Sequence, residues 1–403
     1  MAKHVSQKDS PKKRLSQLKQ YPVLLLFFGF LLVMFIADCI TPYRERSELE
    51  NTTFLARPSL TVSDLTGRDP VKKVNKFFTD YSEFFKQQIA GRDAWINLHA
   101  ACEQLVFQKK DYGNILLGDD GMEFARTYAL TEAEKPLLQK NVSSVENLGQ
   151  RYPGLVTTMV VPSSSTIHVD KVPANAPLLD ENALLDQIFD RLDESVQVVD
   201  VRKALQAHAA DQQLFYRTDH HWTTDGAYYA YEALCDVLGK TPFDRSQHEA
   251  VTVPDFYGTS WAKCRQPGAD PDSITYYNLD APLTLYNVKG SAEMEPLETT
   301  GLYDLAKFEA YDKYGAFLHG NNAFSRIEGK GEGRILVVKD SYANSLVPFL
   351  TDNYAQIDVV DFRGYRYGLD GLIEQNDYDD VLVLYSFDSF KSDPYLSRLA
   401  FVG

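Results

Sequence analysis

Cysteine is scarce: 403 residues hold four, Cys39, Cys102, Cys235 and Cys264. No Cys-x-x-C spacing occurs among them, so a thiolate zinc site has no support. Cys39 ends the apolar segment, and the remaining three are an odd set, so a Cys235–Cys264 disulfide stays an open pairing. Cations are also short, at 41 Lys and Arg against 56 Asp and Glu, a formal net charge of −15. Lys3, Lys8, Lys12, Lys13, Arg14 and Lys19 face only Asp9 in residues 1–20, leaving a net −20 for the remainder. That balance argues against nucleic acid as a partner. It suits a neutral or cationic polymer better, although an acidic surface is more often a solubility device. Internal repeats and low-complexity stretches are absent, and there is one long apolar run.

That run is Tyr21 to Ile40, with no charge before Asp38. About twenty apolar residues span a bilayer, and a basic flank ahead of them leaves the N-terminus in the cytoplasm. The rival is a cleaved signal peptide, which wants a shorter apolar core and a small-x-small site. Ile36-Ala37-Asp38-Cys39 offers no such site, and Asp38 before Cys39 spoils lipoprotein processing. The expectation is an uncleaved single-pass anchor with the main domain extracytoplasmic. The chain then divides into a basic cytoplasmic tail (1–20), the anchor (21–40), a juxtamembrane and helical segment (41–110) and a main domain (111–403).

An apolar content of 44% and an aromatic content of 12% indicate a globular chain with a sizeable core. Asp64 to Leu98 has helical periodicity, with Val74, Phe77, Phe78, Tyr81, Phe84 and Phe85 as a stripe expected to pack on the main domain. Gly91-Arg92-Asp93 breaks that helix, and Arg92 suits a structural ion pair. Strands at 155–161 and 196–201, a helix at 181–194, and further strands at 335–338, 357–361 and 381–385 alternate in the manner of a mostly parallel sheet flanked by helices. The alternation lapses from about 240 to 333, which reads as a β-rich insertion bordering the cleft. Ligands in such sheets sit beyond the carboxyl ends of strands.

Arg217-Thr218-Asp219-His220-His221-Trp222-Thr223-Thr224-Asp225-Gly226 is dense in chemistry. Residues two apart on an extended strand share a face, so Asp219 and His221 are expected to pair with His220 turned away. A carboxylate fixes the tautomer of a histidine and stabilises its protonated form, as an acyl-transfer base needs. A nucleophile occurs 120 residues on: the apolar run Arg334 to Val338 stops at Lys339-Asp340-Ser341-Tyr342-Ala343-Asn344-Ser345. A serine at a strand-to-helix turn lies where backbone N–H groups converge on a developing oxyanion.

The Asp-His-His-Trp signature followed by a late Asp-Ser resembles the DHHW proteins, relatives of the AlgX/AlgJ alginate O-acetyltransferases in the SGNH-hydrolase-like group. The resemblance covers nearly all of the chain beyond the anchor. It implies an SGNH-like α/β domain and a permuted order in which Asp219 and His221 precede Ser341. Lys339 departs from the glycine many SGNH hydrolases carry there. Phe317-Leu318-His319-Gly320-Asn321-Asn322 resembles a Gly-Gly-Asn segment of the family, with His319 departing. It makes Gly320 and Asn321 oxyanion donors beside the Ser341 N–H. Phe256-Tyr257-Gly258-Thr259 matches another family segment, so Tyr257 and Gly258 join Trp222 as cleft residues. Arg363, in Asp361-Phe362-Arg363, is expected to support the site or bind substrate. The resemblance further implies O-acetylation of an envelope or secreted polysaccharide, no cofactor, and a multipass MBOAT-type O-acyltransferase partner.

Each residue also has a plainer role open to it. The Asp219–His221 pair also suits a structural turn, and a metal site would want both imidazoles on one side, which an extended strand forbids. Gly320 suits a turn, Asn321 a cap and Arg363 an ion pair. An O-acetyl esterase would use the same residues, and a non-catalytic glycan-binding or assembly protein could use the scaffold.

Overall fold

A computed structural model describes residues 21–401, apart from Asn51, Asp193 and Glu194. The basic tail at 1–20 lies outside the described residues. The chain forms two compact units, 1–99 and 100–403.

In the first unit, helix α1 (Pro22–Ile40) has a mean hydropathy of 2.8 over its most apolar window and buries none of that window. Among the described residues it is the one helix long and apolar enough to cross a membrane, and a signal sequence passes the same test. Helix α2 (Pro70–Gln88) ends short of Gly91, whose positive φ of 69° suits glycine, and helix α3 (Arg92–Ala101) starts just beyond it. Arg92 makes the expected ion pair, donating to both carboxylate oxygens of Glu50 at 3.0 and 3.1 Å. Within α2 only Phe84 is buried, while Phe78 and Phe85 are exposed.

The second unit is built on an eight-stranded mixed sheet. Its parallel part comprises β4 (Val156–Val161), β5 (Gln197–Val198), β11 (Arg334–Lys339), β12 (Gln356–Val360) and β13 (Asp380–Ser386), in the order β12-β11-β13-β4-β5. Three antiparallel strands extend it beyond β12: β10 (Phe324–Glu328), β8 (Leu283–Val288) and β9 (Met294–Thr300). The stretch at 240–333 is therefore not an appendage throughout. Its second half carries the antiparallel edge of the main sheet: a short connection joins β8 to β9, and a longer one, with the helical turns Leu305–Phe308 and Tyr314–Ala316, joins β9 to β10. A separate hairpin, β6 (Ala250–Phe256) with β7 (Asp272–Tyr277), and a three-stranded ladder, β1 (Asp111–Tyr112), β2 (Ile115–Leu117) and β3 (Glu123–Ala125), complete the strands.

Strand β11 shows how the sheet is held. Ile335 and Val337 enter one apolar cluster and Leu336 and Val338 the other, all with no exposed surface. Each such side chain contributes about 1.5–3 kcal/mol on burial, and both faces being apolar explains the uninterrupted apolar run. Helices α4 (Glu134–Arg151) and α5 (Glu181–Leu192) cover one face, and α6 (Thr224–Leu238) covers the other. The central parallel strands thus send their carboxyl ends to one rim, where Ser341, Asp361, Ser386 and Ser163 follow β11, or end or follow β12, β13 and β4.

Across β10 and β12, Arg326 faces Asp358 in register and grips both its oxygens at 2.7 Å. Asp358 has no exposed surface. Arg326→Met leaves that carboxylate with neutral donors only, and should cost roughly 3 kcal/mol of stability, since breaking a buried pair strands its charge. Urea denaturation measures it; a loss under about 1 kcal/mol would show that the pair does not hold this edge.

Candidate active site

The segment leading into Asp219 is not the extended strand its composition predicts. Phe215 and Trp222 form a single antiparallel bridge, with Tyr216 N–H on the His221 carbonyl at 3.2 Å and Thr223 N–H on that of Leu214 at 2.9 Å. Residues 217–221 are the bend between. Asp219 and His221 meet through a turn rather than strand alternation: Asp219 Oδ1 accepts the His221 backbone N–H at 2.9 Å and the ring Nδ1 at 2.5 Å. His221 Nε2 then lies 2.8 Å from Ser341 Oγ. Asp219 and His221 are buried, and Ser341 is half-buried.

The same bend corrects the placing of His220. Its ring lies 3.8 Å from that of His221 instead of facing away, and its Nδ1 is 2.6 Å from Thr259 Oγ1. Asp219, His220 and His221 can each bring a ligand atom within 4.8 Å of the others. The strand argument against a metal therefore fails. Of those atoms, His221 Nδ1 and Asp219 Oδ1 bond each other and His221 Nε2 faces Ser341 Oγ.

Residues outside the signature hold the bend. Asp219 Oδ2 accepts Thr259 N–H at 2.7 Å and Thr259 Oγ1 at 2.9 Å. Asp272, buried at the start of β7, accepts from Thr218 N–H (2.9 Å) and Oγ1 (2.7 Å), Arg217 N–H (3.2 Å) and Gln213 Nε2 (2.7 Å). Tyr314 stacks on the His221 ring at 3.8 Å and donates to the Ser341 carbonyl at 3.0 Å. None of these three was singled out from the sequence. Thr259 belongs to the Phe256-Tyr257-Gly258-Thr259 segment, while nothing local in the sequence marks Asp272 or Tyr314.

Burial would raise the Asp219 pKa, but the charges of His220 and His221 and their hydrogen bonds outweigh it and hold the carboxyl well below its ordinary range. Burial, then the adjacent His220, pull His221 below an ordinary histidine against the opposing effect of Asp219. A neutral imidazole beside a serine hydroxyl is the state a general base requires.

Ser341 sits on a turn fixed by its predecessor. Asp340 Oδ1 accepts Tyr342 N–H at 2.9 Å, and Oδ2 accepts Ser386 N–H (2.9 Å) and Oγ (2.7 Å) from the end of β13. The helix after it is short, Ala343–Leu346, and tightens into a 3-10 turn. Trp222 does not line a cleft: it has no exposed surface, and its Nε1 donates to Tyr342 O and Ser345 Oγ, both at 2.9 Å. It pins the His221 loop to the Ser341 turn. Tyr257 donates to the Ala269 carbonyl at 2.8 Å. The Gly320 N–H is committed to the Phe317 carbonyl at 2.9 Å, so Gly320 is not a ready oxyanion donor; its φ of 83° instead makes it a turn glycine. Asn321 is exposed, and its Oδ1 accepts from Lys339 Nζ (2.8 Å) and Asn344 Nδ2 (3.2 Å). Arg363 Nε donates to Asp361 Oδ1 at 2.8 Å, its Nη2 to Oδ2, and Lys339 Nζ reaches that Oδ2 at 3.3 Å. The four cysteines are free thiols, so Cys235 and Cys264 are not bridged.

Sheet and layers define a mixed α/β protein, an eight-stranded sheet with helices on both faces. The family model described as DHHW protein matches residues 111–360, and the chain belongs to that family. Among solved structures it is similar to a DHHW family protein from Eubacterium siraeum, with 26% identity, 71% of this chain and 94% of that one covered, and a TM-score of 0.60. It is also similar to Bacillus cereus PatB1 with a sulfonyl adduct, at 18% identity over 70% of this chain and 96% of that one, TM-score 0.54. The O-acetyltransferase domain of Pseudomonas putida AlgJ is more remote, at 15% identity over 71% and 98%, with a TM-score of 0.44 that carries no weight. No curated protein matches the chain.

Gly258 admits no side chain: a Cβ there would come within 2.2 Å of Asp219 Cβ and 2.3 Å of its Oδ2. Gly258→Ala should therefore displace Asp219 and cost about 1–3 kcal/mol, the usual range for overpacking. A thermal melt unchanged from wild type would show that the contact is not tight.

Proposed function

We propose that this protein is a serine-dependent O-acyltransferase that moves acetyl groups onto hydroxyls of an envelope or secreted polysaccharide. The observation that carries this reading is the unbroken chain from Asp219 through His221 to Ser341, at 2.5 and 2.8 Å. Its family membership supports the class of chemistry. The apolar helix α1 after a basic tail, with no small-x-small site at Ile36-Ala37-Asp38-Cys39, supports an uncleaved anchor with the second unit outside the cytoplasm, where such a polymer lies. A multipass O-acyltransferase that delivers acetyl groups through the membrane is the partner this topology asks for.

In the proposed reaction His221 Nε2 takes the proton of Ser341 Oγ as the oxygen attacks the carbonyl carbon of an acyl ester. The carbonyl π pair moves onto oxygen, held by N–H donors from the Ser341 turn and Asn321. Collapse expels the donor alcohol, which receives the proton from His221, and leaves an acyl ester on Ser341. A sugar hydroxyl then gives its proton to His221 and attacks that ester, releasing Ser341 Oγ, which recovers the proton. Asp219, already ionised, stabilises the imidazolium formed twice in this cycle.

Sulfonyl fluoride treatment of membranes containing the protein should label Ser341, in the membrane fraction, and Ser341→Ala should abolish labelling. The same variant should lose about 10³-fold or more of acyl transfer to added oligosaccharide. Transfer by Ser341→Ala equal to wild type would end the acyl-enzyme reading. Brisk ester hydrolysis by wild type with no transfer would assign an esterase instead.

The pH dependence follows from His221, which must be neutral to act. Its pKa lies below the ordinary 6.5, so activity is retained on acidification past that value and lost as pH falls through the depressed pKa. His220→Gln removes one depressing charge and should move the acid limb of kcat/KM upward. An unmoved limb would rule out His220 as a tuning group.

A further inference from the structure

A lysine with 2% of its surface exposed stands directly before the serine turn, and the reaction outlined above gives it no task. Lys339 ends β11, and its ammonium contacts Asn321 Oδ1 at 2.8 Å and Asp361 Oδ2 at 3.3 Å. An ammonium has three donors and no acceptor, so it can meet only the oxygen end of an amide. Asn344 Nδ2 approaches the same Oδ1 at 3.2 Å, a second donor on one acceptor. With Oδ1 held by two donors, the two N–H bonds of Asn321 Nδ2 are what this exposed side chain has left to offer.

We propose that Lys339 is a positioning residue for acyl transfer: anchored by Asp361, its ammonium holds the Asn321 amide with Oδ1 toward the protein and Nδ2 presented as oxyanion donor. The proposal rests on Ser341 being the nucleophile. It explains why a large cation replaces the small residue expected before Asp-Ser. A free asparagine amide turns over between two nearly isosteric orientations, one offering donors and the other an acceptor that would repel an oxyanion. A fixed cation removes the second orientation before substrate arrives, which is how preorganised electrostatic stabilisation works.

The charges facing Lys339 are Asp361 and Arg363 from the turn after β12, and Asp340 beside it in sequence. Burial, with Arg363 assisting, lowers its pKa to about 8 against the opposing carboxylates. Below that pH the ammonium enforces the amide orientation. Above it the amine gains a lone pair that can accept from Nδ2, and the constraint lapses.

Acyl transfer by purified full-length protein in detergent, with an activated acetyl ester as donor, decides the matter. Asn321→Ala should lower kcat about 10²–10³-fold. Lys339→Met should lower it similarly with KM little changed, the mark of an interaction made in the transition state. The double variant should be no slower than Asn321→Ala alone, because both act through one amide. Wild-type kcat should decline as pH rises through about 8, and Asn321→Ala should lack that limb, a comparison that does not require Lys339→Met to fold. Losses that multiply in the double variant, or an alkaline limb that survives in Asn321→Ala, would overturn the role of Lys339. A wild-type rate in Asn321→Ala would overturn it while leaving Ser341 in place. A wild-type rate in Ser341→Ala would remove the nucleophile on which it rests.

Discussion

The second unit is organised around a carboxylate that must be buried and charged at once. Removing Asp219 from water costs several kcal/mol unless donors replace the hydration shell. Four do: His221 N–H and Nδ1 on one oxygen, Thr259 N–H and Oγ1 on the other. Two come from the bend itself and two from the connection between β6 and β7, so satisfying one side chain fixes that connection on the loop. The missing side chain of Gly258 is the steric side of the same requirement.

The device recurs along the rim. Asp219 accepts the N–H of His221, Asp340 that of Tyr342, and Asp361 that of Arg363, each two residues on. An aspartate that bonds its own backbone this way bends the chain where it would otherwise run on extended. His221, Ser341 and Arg363 are thus each presented by a local turn whose carboxylate has a second partner elsewhere: Thr259, Ser386 and Lys339. Rigidity comes from those second partners, since a turn alone would leave each side chain free to sweep an arc. Trp222 adds a cross-link, joining the base loop to the serine turn through Tyr342 and Ser345.

Much of this was legible in sequence, for a physical reason. Buried parallel strands must be apolar on both faces, so Ile335-Leu336-Val337-Val338 announced β11, and the polar residues right after it marked the rim. The pairing of Asp219 with His221 was read correctly from the wrong cause, strand alternation instead of a turn. That error put His220 on the far side, when a bend leaves it against His221. What stayed hidden depended on contacts far along the chain: Asp272 beneath Thr218, 54 residues away, and Tyr314 on the His221 ring. Nothing local marks such residues, because an aspartate in a Pro-Asp turn and a tyrosine beside a glycine are ordinary until the fold closes. Trp222 misled for the opposite reason: an aromatic next to a catalytic-looking pair invites a substrate role, while its indole N–H was needed to tie two loops together.

The overall charge makes the local electrostatics worth separating from the global. At physiological ionic strength exposed charges act over about 8 Å, so the −15 of the chain says little about the potential at Ser341. What acts there is the local group: the buried Lys339–Asp361 pair, with the exposed Arg363 also on Asp361. Asp340 lies next to the serine as well, its charge stabilised but not cancelled by three N–H or O–H donors. An acidic protein can therefore keep a buried cation beside its serine turn, because Lys339 is shielded by protein and not by salt.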